Sequence, residues 1–250
     1  MGSNWFARRI GWLAPAVLLV GLVGGGAVPA TAAPPRPPVV VLGPAALLAP
    51  DGRSLSVEVI ARCPAKGTLV EASVTISQPQ ATGRASFPLT CDDLLLPRRV
   101  TVHSSGAPFT LGEAQATATV TVKRGKLQTA QDSERVLVEP SVEVELADTA
   151  LLQNGGAAVL IDVTVACPVG AIGLDSSDVV IGQDQPGGLA AGRATYVPVC
   201  DGQPHTFAIR IRASQGIFRT GSALATTFAA VEAGGNPFLG VDQETIQIVT

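Results

Sequence analysis

The chain repeats itself. One ordered set of apolar, glycine and cysteine positions recurs at a spacing that drifts from 104 to 109 residues. Val57-Glu58-Val59 ahead of Cys63-Pro64 corresponds to Ile161-Asp162-Val163 ahead of Cys167-Pro168. Upstream, Ala46-Leu47-Leu48 corresponds to Ala150-Leu151-Leu152. Downstream, Val74, Ile76 and Gln78 correspond to Val179, Ile181 and Gln183, Gly83-Arg84-Ala85 to Gly192-Arg193-Ala194, and Cys91-Asp92 to Cys200-Asp201. Phe109 and Gly112 correspond to Phe218 and Gly221, and the drift comes from insertions such as Pro186-Gly187-Gly188. Matches kept in order over this length predict two homologous domains, 39–139 and 140–250, meeting near Pro140.

Each copy reads as β structure. Val57, Val59, Ala61 and Cys63 alternate with Glu58, Ile60 and Arg62, and Ile161, Val163, Val165 and Cys167 repeat the pattern. That period of two gives a strand with one buried face. Thr117 to Val122 alternates Thr with Ala or Val, Arg135 to Glu139 reads as the last strand of the first copy, and Ser141 to Leu146 as the first of the second. Turn signals such as Asp51-Gly52, Asn154-Gly155 and Asp201-Gly202 separate the segments. Short strands at this spacing predict an all-β fold, about seven strands per copy, as two tandem immunoglobulin-like or fibronectin-like β-sandwiches. So few residues near Pro140 predict end-to-end stacking with little swivel.

Residues 1–32 read as a secretory signal peptide. Arg8 and Arg9 are the positive segment, Ile10 to Val23 the apolar one, and Ala30-Thr31-Ala32 an A-x-A cleavage site. The apolar run is shorter than a membrane span needs and Pro15 interrupts it. The twin arginine invites a Tat reading, but Gly11 stands where an apolar residue is usual, which favours the general secretory route. Residues 33–38, with Pro34-Pro35-Arg36-Pro37-Pro38, form a Pro-rich spacer. Removing 1–32 from the 250 residues leaves 218 and moves the formal charge from −3 to −5. It also removes Trp5 and Trp12, leaving Tyr196 as the sole Tyr beside six Phe. An acidic chain with almost no aromatic platform excludes nucleic-acid binding and makes stacking on sugars a poor expectation.

The four cysteines are expected to pair within each copy, Cys63 with Cys91 and Cys167 with Cys200, because only this pairing respects the repeat. An exported chain meets an oxidising compartment where such bonds persist. Loops of about 30 residues should stabilise each copy by roughly 3.5–4 kcal/mol in the chain-entropy view. Singly spaced cysteines do not suit zinc. The second cysteine is expected on the fourth strand or the corner after it.

Nothing else in the chain predicts catalysis or a cofactor. His205 lies near Asp201, but no Gly-x-Ser-x-Gly elbow accompanies it and Cys200 is assigned to a bridge. Asp92, Asp93, Asp175, Asp178, Asp184 and Asp201 fall mostly in predicted loops without the spacing of a calcium loop, and Asp92 and Asp201 suit turns. Arg210 and Arg212 project from one strand face, with Arg219 nearby and Thr101 and His103 at the matching places of the first copy. Arg84 and Arg193 recur and read as structural.

The second copy, with Cys167-Pro168, Gly192-Arg193-Ala194, Val199-Cys200-Asp201-Gly202 and His205, resembles a secreted actinobacterial domain of unknown function. The first copy keeps most of these but has Asp93 for the Gly and Leu96 for the His. The resemblance implies a one-disulfide extracellular β-sandwich and supplies no activity. The expectation is therefore a secreted, non-enzymatic binding or structural module with no cofactor, no metal, no nucleic-acid partner and no membrane attachment after cleavage. Its partner would be a protein or small molecule. A protease inhibitor or small-ligand carrier is the alternative, and a hydrolase the least favoured class.

Overall fold

A computed structural model describes residues 36–250. The expected signal peptide and residues 33–35 of the expected spacer lie outside the described residues. Two sheets follow one another along the chain. The first contains β1 (Val39–Leu48), β2 (Ser54–Arg62), β3 (Thr68–Ser77), β4 (Thr82–Ser86), β5 (Leu96–His103), β6 (Gly112–Arg124) and β7 (Lys126–Pro140). The second contains β8 (Glu143–Gln153), β9 (Ala158–Ala166), the two-residue β10 (Ile172–Gly173), β11 (Ser177–Gln185), β12 (Gly188–Tyr196), β13 (His205–Gln215), β14 (Gly221–Ala233) and β15 (Asn236–Val249). One 3-10 turn, Asn154–Gly156, is the sole helical element among the described residues. No described helix is long and apolar enough to cross a membrane.

The strand orders are β4-β3-β6-β7-β1-β2-β5 and β10-β14-β11-β12-β13-β9-β8-β15, with β15 also paired to β14. With β10 set aside, both orders are the same circle of strands entered at different points. The second circle is bonded all the way round. In the first, the remaining gap between β4 and β5 is bridged at Gly83 and Ser104. Each half is thus a barrel-like or sandwich arrangement around its own core.

Alternation produces those cores. In β6, Ala114, Ala116, Ala118, Val120 and Val122 are buried, while Thr117, Thr119 and Thr121 face outward. In β9, Val159, Ile161, Val163 and Val165 do the same. The strand expected over Arg135 to Glu139 is much longer, because β7 begins at Lys126. Its first half is polar and its pairing is carried by cross-strand partners. The Thr121 and Thr129 hydroxyls lie 3.1 Å apart, and those of Thr117 and Ser133 2.9 Å. No apolar period marks that stretch.

The first strand of each half gains a second partner midway. β1 pairs antiparallel with β2 on both sides of a register shift between Leu42 and Ala46, and from Ala45 to Leu48 it also runs parallel to β7. β8 repeats this against β9, with the break between Leu146 and Ala150, and against β15. Gly43-Pro44 marks the first break, where proline has no N–H for the ladder.

Closing the circle needs one close crossing. A Cβ on Gly83 would stand 2.3 Å from the His103 carbonyl oxygen, and one on Gly192 2.4 Å from that of Arg212. The recurring Gly-Arg-Ala therefore marks where β4 meets β5 and β12 meets β13. We expect Gly83→Ala and Gly192→Ala each to destabilise the protein by about 1–3 kcal/mol through overpacking. Gly106→Ala, whose Cβ would meet nothing closer than 3.8 Å, should stay within about 0.5 kcal/mol. Urea unfolding midpoints check both.

Candidate functional site

Cys63 follows β2 and is buried in the core, and Cys91 lies in the connection between β4 and β5. They are bonded, as are Cys167 and Cys200, at sequence separations of 28 and 33. The two corners are built alike. The Asp93 N–H donates to the Cys63 carbonyl at 3.0 Å, and that of Gly202 to the Cys167 carbonyl at 3.1 Å. Asp92 Oδ1 accepts from the Leu94 N–H and Asp201 Oδ1 from that of Gln203, both at 3.0 Å. The two aspartates thus fix turns.

His205 opens β13 with Nε2 2.8 Å from Asp201 Oδ1. Its hydrogen bond, with that of the Gln203 N–H, holds the Asp201 carboxyl below its ordinary value. Among the described residues Asp201 is the sole side-chain hydrogen-bond partner of His205. The pair therefore has a base and its orienting carboxylate, without a hydroxyl or thiol set against the ring.

The other shared polar residues hold backbone. Gln78 accepts from the Thr110 N–H at 2.9 Å and donates to the Thr110 carbonyl at 2.8 Å. Gln183 makes the same pair with Arg219, both at 2.9 Å. Phe109 and Phe218, one residue earlier, are buried. Their N–H groups donate to the carbonyls of Gly52 and Gly156 at 2.8 and 2.9 Å. Arg84 pairs with Glu71, and Arg193 with the buried Asp178. Ser73 and Arg84 hold the Glu71 carboxyl below its usual range.

One pair of shared residues escaped sequence reading. The Leu42 N–H, at the break in β1, donates to Asp132 Oδ2 at 2.8 Å, and the Leu146 N–H, at the break in β8, donates to Asp242 Oδ2 at 2.8 Å. Each aspartate receives an amide where the ladder shifts register. Their spacing was the available signal, but no neighbouring motif marks them. Near Asp242, Glu244 faces Asp148 and Glu145, and the Asp242 charge and then burial raise its pKa.

The carboxylates weighed for calcium do not converge. Asp178 and Asp184 lie within β11 rather than in a loop, because Val179, Val180 and Ile181 carry the strand through them. Asp175 sits in the turn before β11, and Asp92, Asp93 and Asp201 at the two disulfide corners. Among the described residues no three metal-binding side chains gather. Arg210 and Arg212 are exposed on β13 across from Leu160 and Ala158, while Arg219 is held through its main chain.

Around Tyr196 the second half differs in a coordinated way. Its hydroxyl lies 3.0 Å from Thr227 Oγ1, which donates to the Asp178 carbonyl at 3.0 Å. The register puts Phe87 and Ala118 at these places in the first half, so a buried apolar pair stands there where the second half has a satisfied polar one. Where the halves meet, Leu111 packs against Cys167, Ala171 and Val231. Beside it is a cleft of ≈ 270 Å³ lined by residues including Leu137, Pro140, Gly170 and Phe238.

No protein-family model matches the chain, and no curated protein sequence matches it. Among solved structures it is similar to the crystal structure of a tetra-tandem repeat in the extending region of a large adhesion protein. The identity is 11% and the TM-score 0.29, covering 84% of this chain. The chain spans 49% of the length of that protein chain.

We expect Asp132→Ala to cost about 1–3 kcal/mol, since it strands an amide paired to a charged acceptor. Asp242→Ala should cost less, because it also relieves Glu244, and denaturant titration compares the two. Burial pushes the Tyr196 phenol above its ordinary 10.0, with the Thr227 bond lowering it and the Asp178 charge raising it. The folded state therefore keeps the proton longer. This contribution to stability is complete below pH 10 and is lost as pH rises through the raised value. Phenolate absorbance should show a transition above pH 10 in folded protein that returns to the ordinary value in denaturant.

Proposed function

We propose that the chain is a secreted, non-enzymatic extracellular module of two tandem immunoglobulin-like domains that binds or spaces other components. One observation carries this reading: the polar residues the two halves share hold main chain, turns or ion pairs. Gln78 and Gln183 clamp backbone, Asp92 and Asp201 fix corners, and Asp132 and Asp242 take the amides at the strand breaks. A duplicated enzyme site would leave some shared group facing a cleft. The strand circle, in which the first strand pairs with both the second and the last, supports the domain type. Two disulfides suit an oxidising compartment.

The cleft beside Leu111 favours a second reading, a carrier of a small apolar ligand, since its lining includes Leu137, Val138 and Phe238. Both readings are tested on protein recovered from culture medium. The expected N-terminus is Ala33, and native mass spectrometry should give the mass of the polypeptide alone. A stoichiometric small molecule lost on Leu111→Asp would establish the carrier. Hydrolytic turnover abolished by His205→Ala would overturn both.

A further inference from the structure

In each half three connections gather at one end. In the first half they are the β2–β3 segment Cys63–Gly67, the β4–β5 segment around Cys91–Leu95, and the β6–β7 hairpin. The disulfide joins the first two. A Cβ on Gly67 would stand 2.6 Å from Val122 Cγ1, which brings the hairpin strand beside them. In the second half the same end meets the first half. Gly170 lies against Leu111, Gly202 against the Pro50 carbonyl, and Ala233 and Phe238 pack in the junction cluster.

The first half presents different chemistry at the matching places. Lys66 stands for Gly170 and keeps its left-handed backbone, φ 63° against 94°. Asp93 stands for Gly202, Arg124 for Ala233 and Gln128 for Phe238. The three lysines of the chain, Lys66, Lys123 and Lys126, are all here. Among the described residues, Lys66, Lys123, Arg124 and Lys126 make no ion pair, while Arg36 and Arg62 share Asp93. Beside these cations Leu127, Val70, Leu94 and Leu95 are 64%, 57%, 54% and 51% exposed. The rest of the chain is acidic enough to bring the whole to −3. Arg36 also sits at this end, through its ion pair with Asp93.

We propose that this end of the first sheet docks on an anionic lipid bilayer, with Lys66, Lys123, Arg124 and Lys126 meeting the phosphates and Leu94, Leu95 and Leu127 entering the interfacial layer. The proposal departs from the sequence-based expectation of no membrane attachment after cleavage, and it rests on the reading of the chain as an exported binding module. A soluble polyanion would reward the cations but leave the leucines in water. A bilayer rewards both, since clustered cations are drawn to an anionic leaflet and apolar side chains gain by leaving water. The matching end of the second sheet cannot serve, because it faces the first half with glycine, alanine and phenylalanine.

The test is co-sedimentation of the exported chain with vesicles of phosphatidylcholine alone or mixed with phosphatidylglycerol. Binding is expected to the mixed vesicles, falling with salt, and not to phosphatidylcholine. Each cation is worth roughly fivefold. The triple variant Lys123→Glu, Arg124→Glu, Lys126→Glu should therefore weaken binding by roughly a hundredfold or more. Arg210→Glu with Arg212→Glu, on an exposed strand elsewhere, should match the native chain. Leu94→Ser with Leu95→Ser should weaken vesicle binding without changing retention on dextran sulfate. Unchanged thermal melting confirms that the loop variants fold. No binding, equal binding to both vesicle types, or indifference to the leucine variant each overturns the proposal. Such a failure leaves the exported-module reading standing, since that is judged by the N-terminus and mass of the protein in the medium.

Discussion

Where each circle of strands closes, two strands pass with their backbones unusually close, and this architecture is built around that contact. Between β4 and β5, and between β12 and β13, the approach is so close that no side chain fits at Gly83 or Gly192. The arginine after each glycine points outward to a carboxylate, Glu71 in one half and Asp178 in the other. The partner has moved by two strand residues from one half to the other, which keeps it on the same face. The crossing and its ion pair have thus been kept while the acid changed place. Closure also leaves few unpaired main-chain groups, the usual hazard of extended β structure.

Much of this architecture was legible in the residues. The duplicated pattern separated the halves, and the alternation in Val57 to Cys63 and Ile161 to Cys167 defined strands whose buried faces match it. The long polar start of β7 was not legible, because Thr129, Gln131 and Ser133 pair across strands without an apolar period. Nor were the roles of Asp132 and Asp242. A carboxylate that takes one amide from a strand far away in sequence has no local signature. Asp178 was misplaced for a related reason. Aspartate is a turn former by habit, and only the ion pair with Arg193 explains it in a buried strand.

Duplication also makes the halves each other's control. Where positions agree, the shared residue supports the fold, as at the glutamine clamps and the corner aspartates. Where they disagree, the surroundings of the two halves differ. Phe87 and Ala118 in one half stand where the other has Tyr196 and Thr227, whose hydroxyls are both hydrogen-bonded within the core. At the ends, small and apolar residues in the second half oppose lysine and arginine in the first. One end is a joint, and its counterpart faces outward.

The second, parallel pairing of the first strand has a mechanical consequence. In each half the strand that enters, β1 or β8, ends beside the strand that leaves, β7 or β15, and the two run parallel. Tension along the chain pulls such neighbours in opposite directions along their common axis. The load falls on several main-chain hydrogen bonds in shear at once, rather than opening them one by one from an end. Asp132 and Asp242 add a bond across the same seam. A chain drawn out between two attachments would therefore resist extension first where its opening and closing strands meet, and it would do so twice.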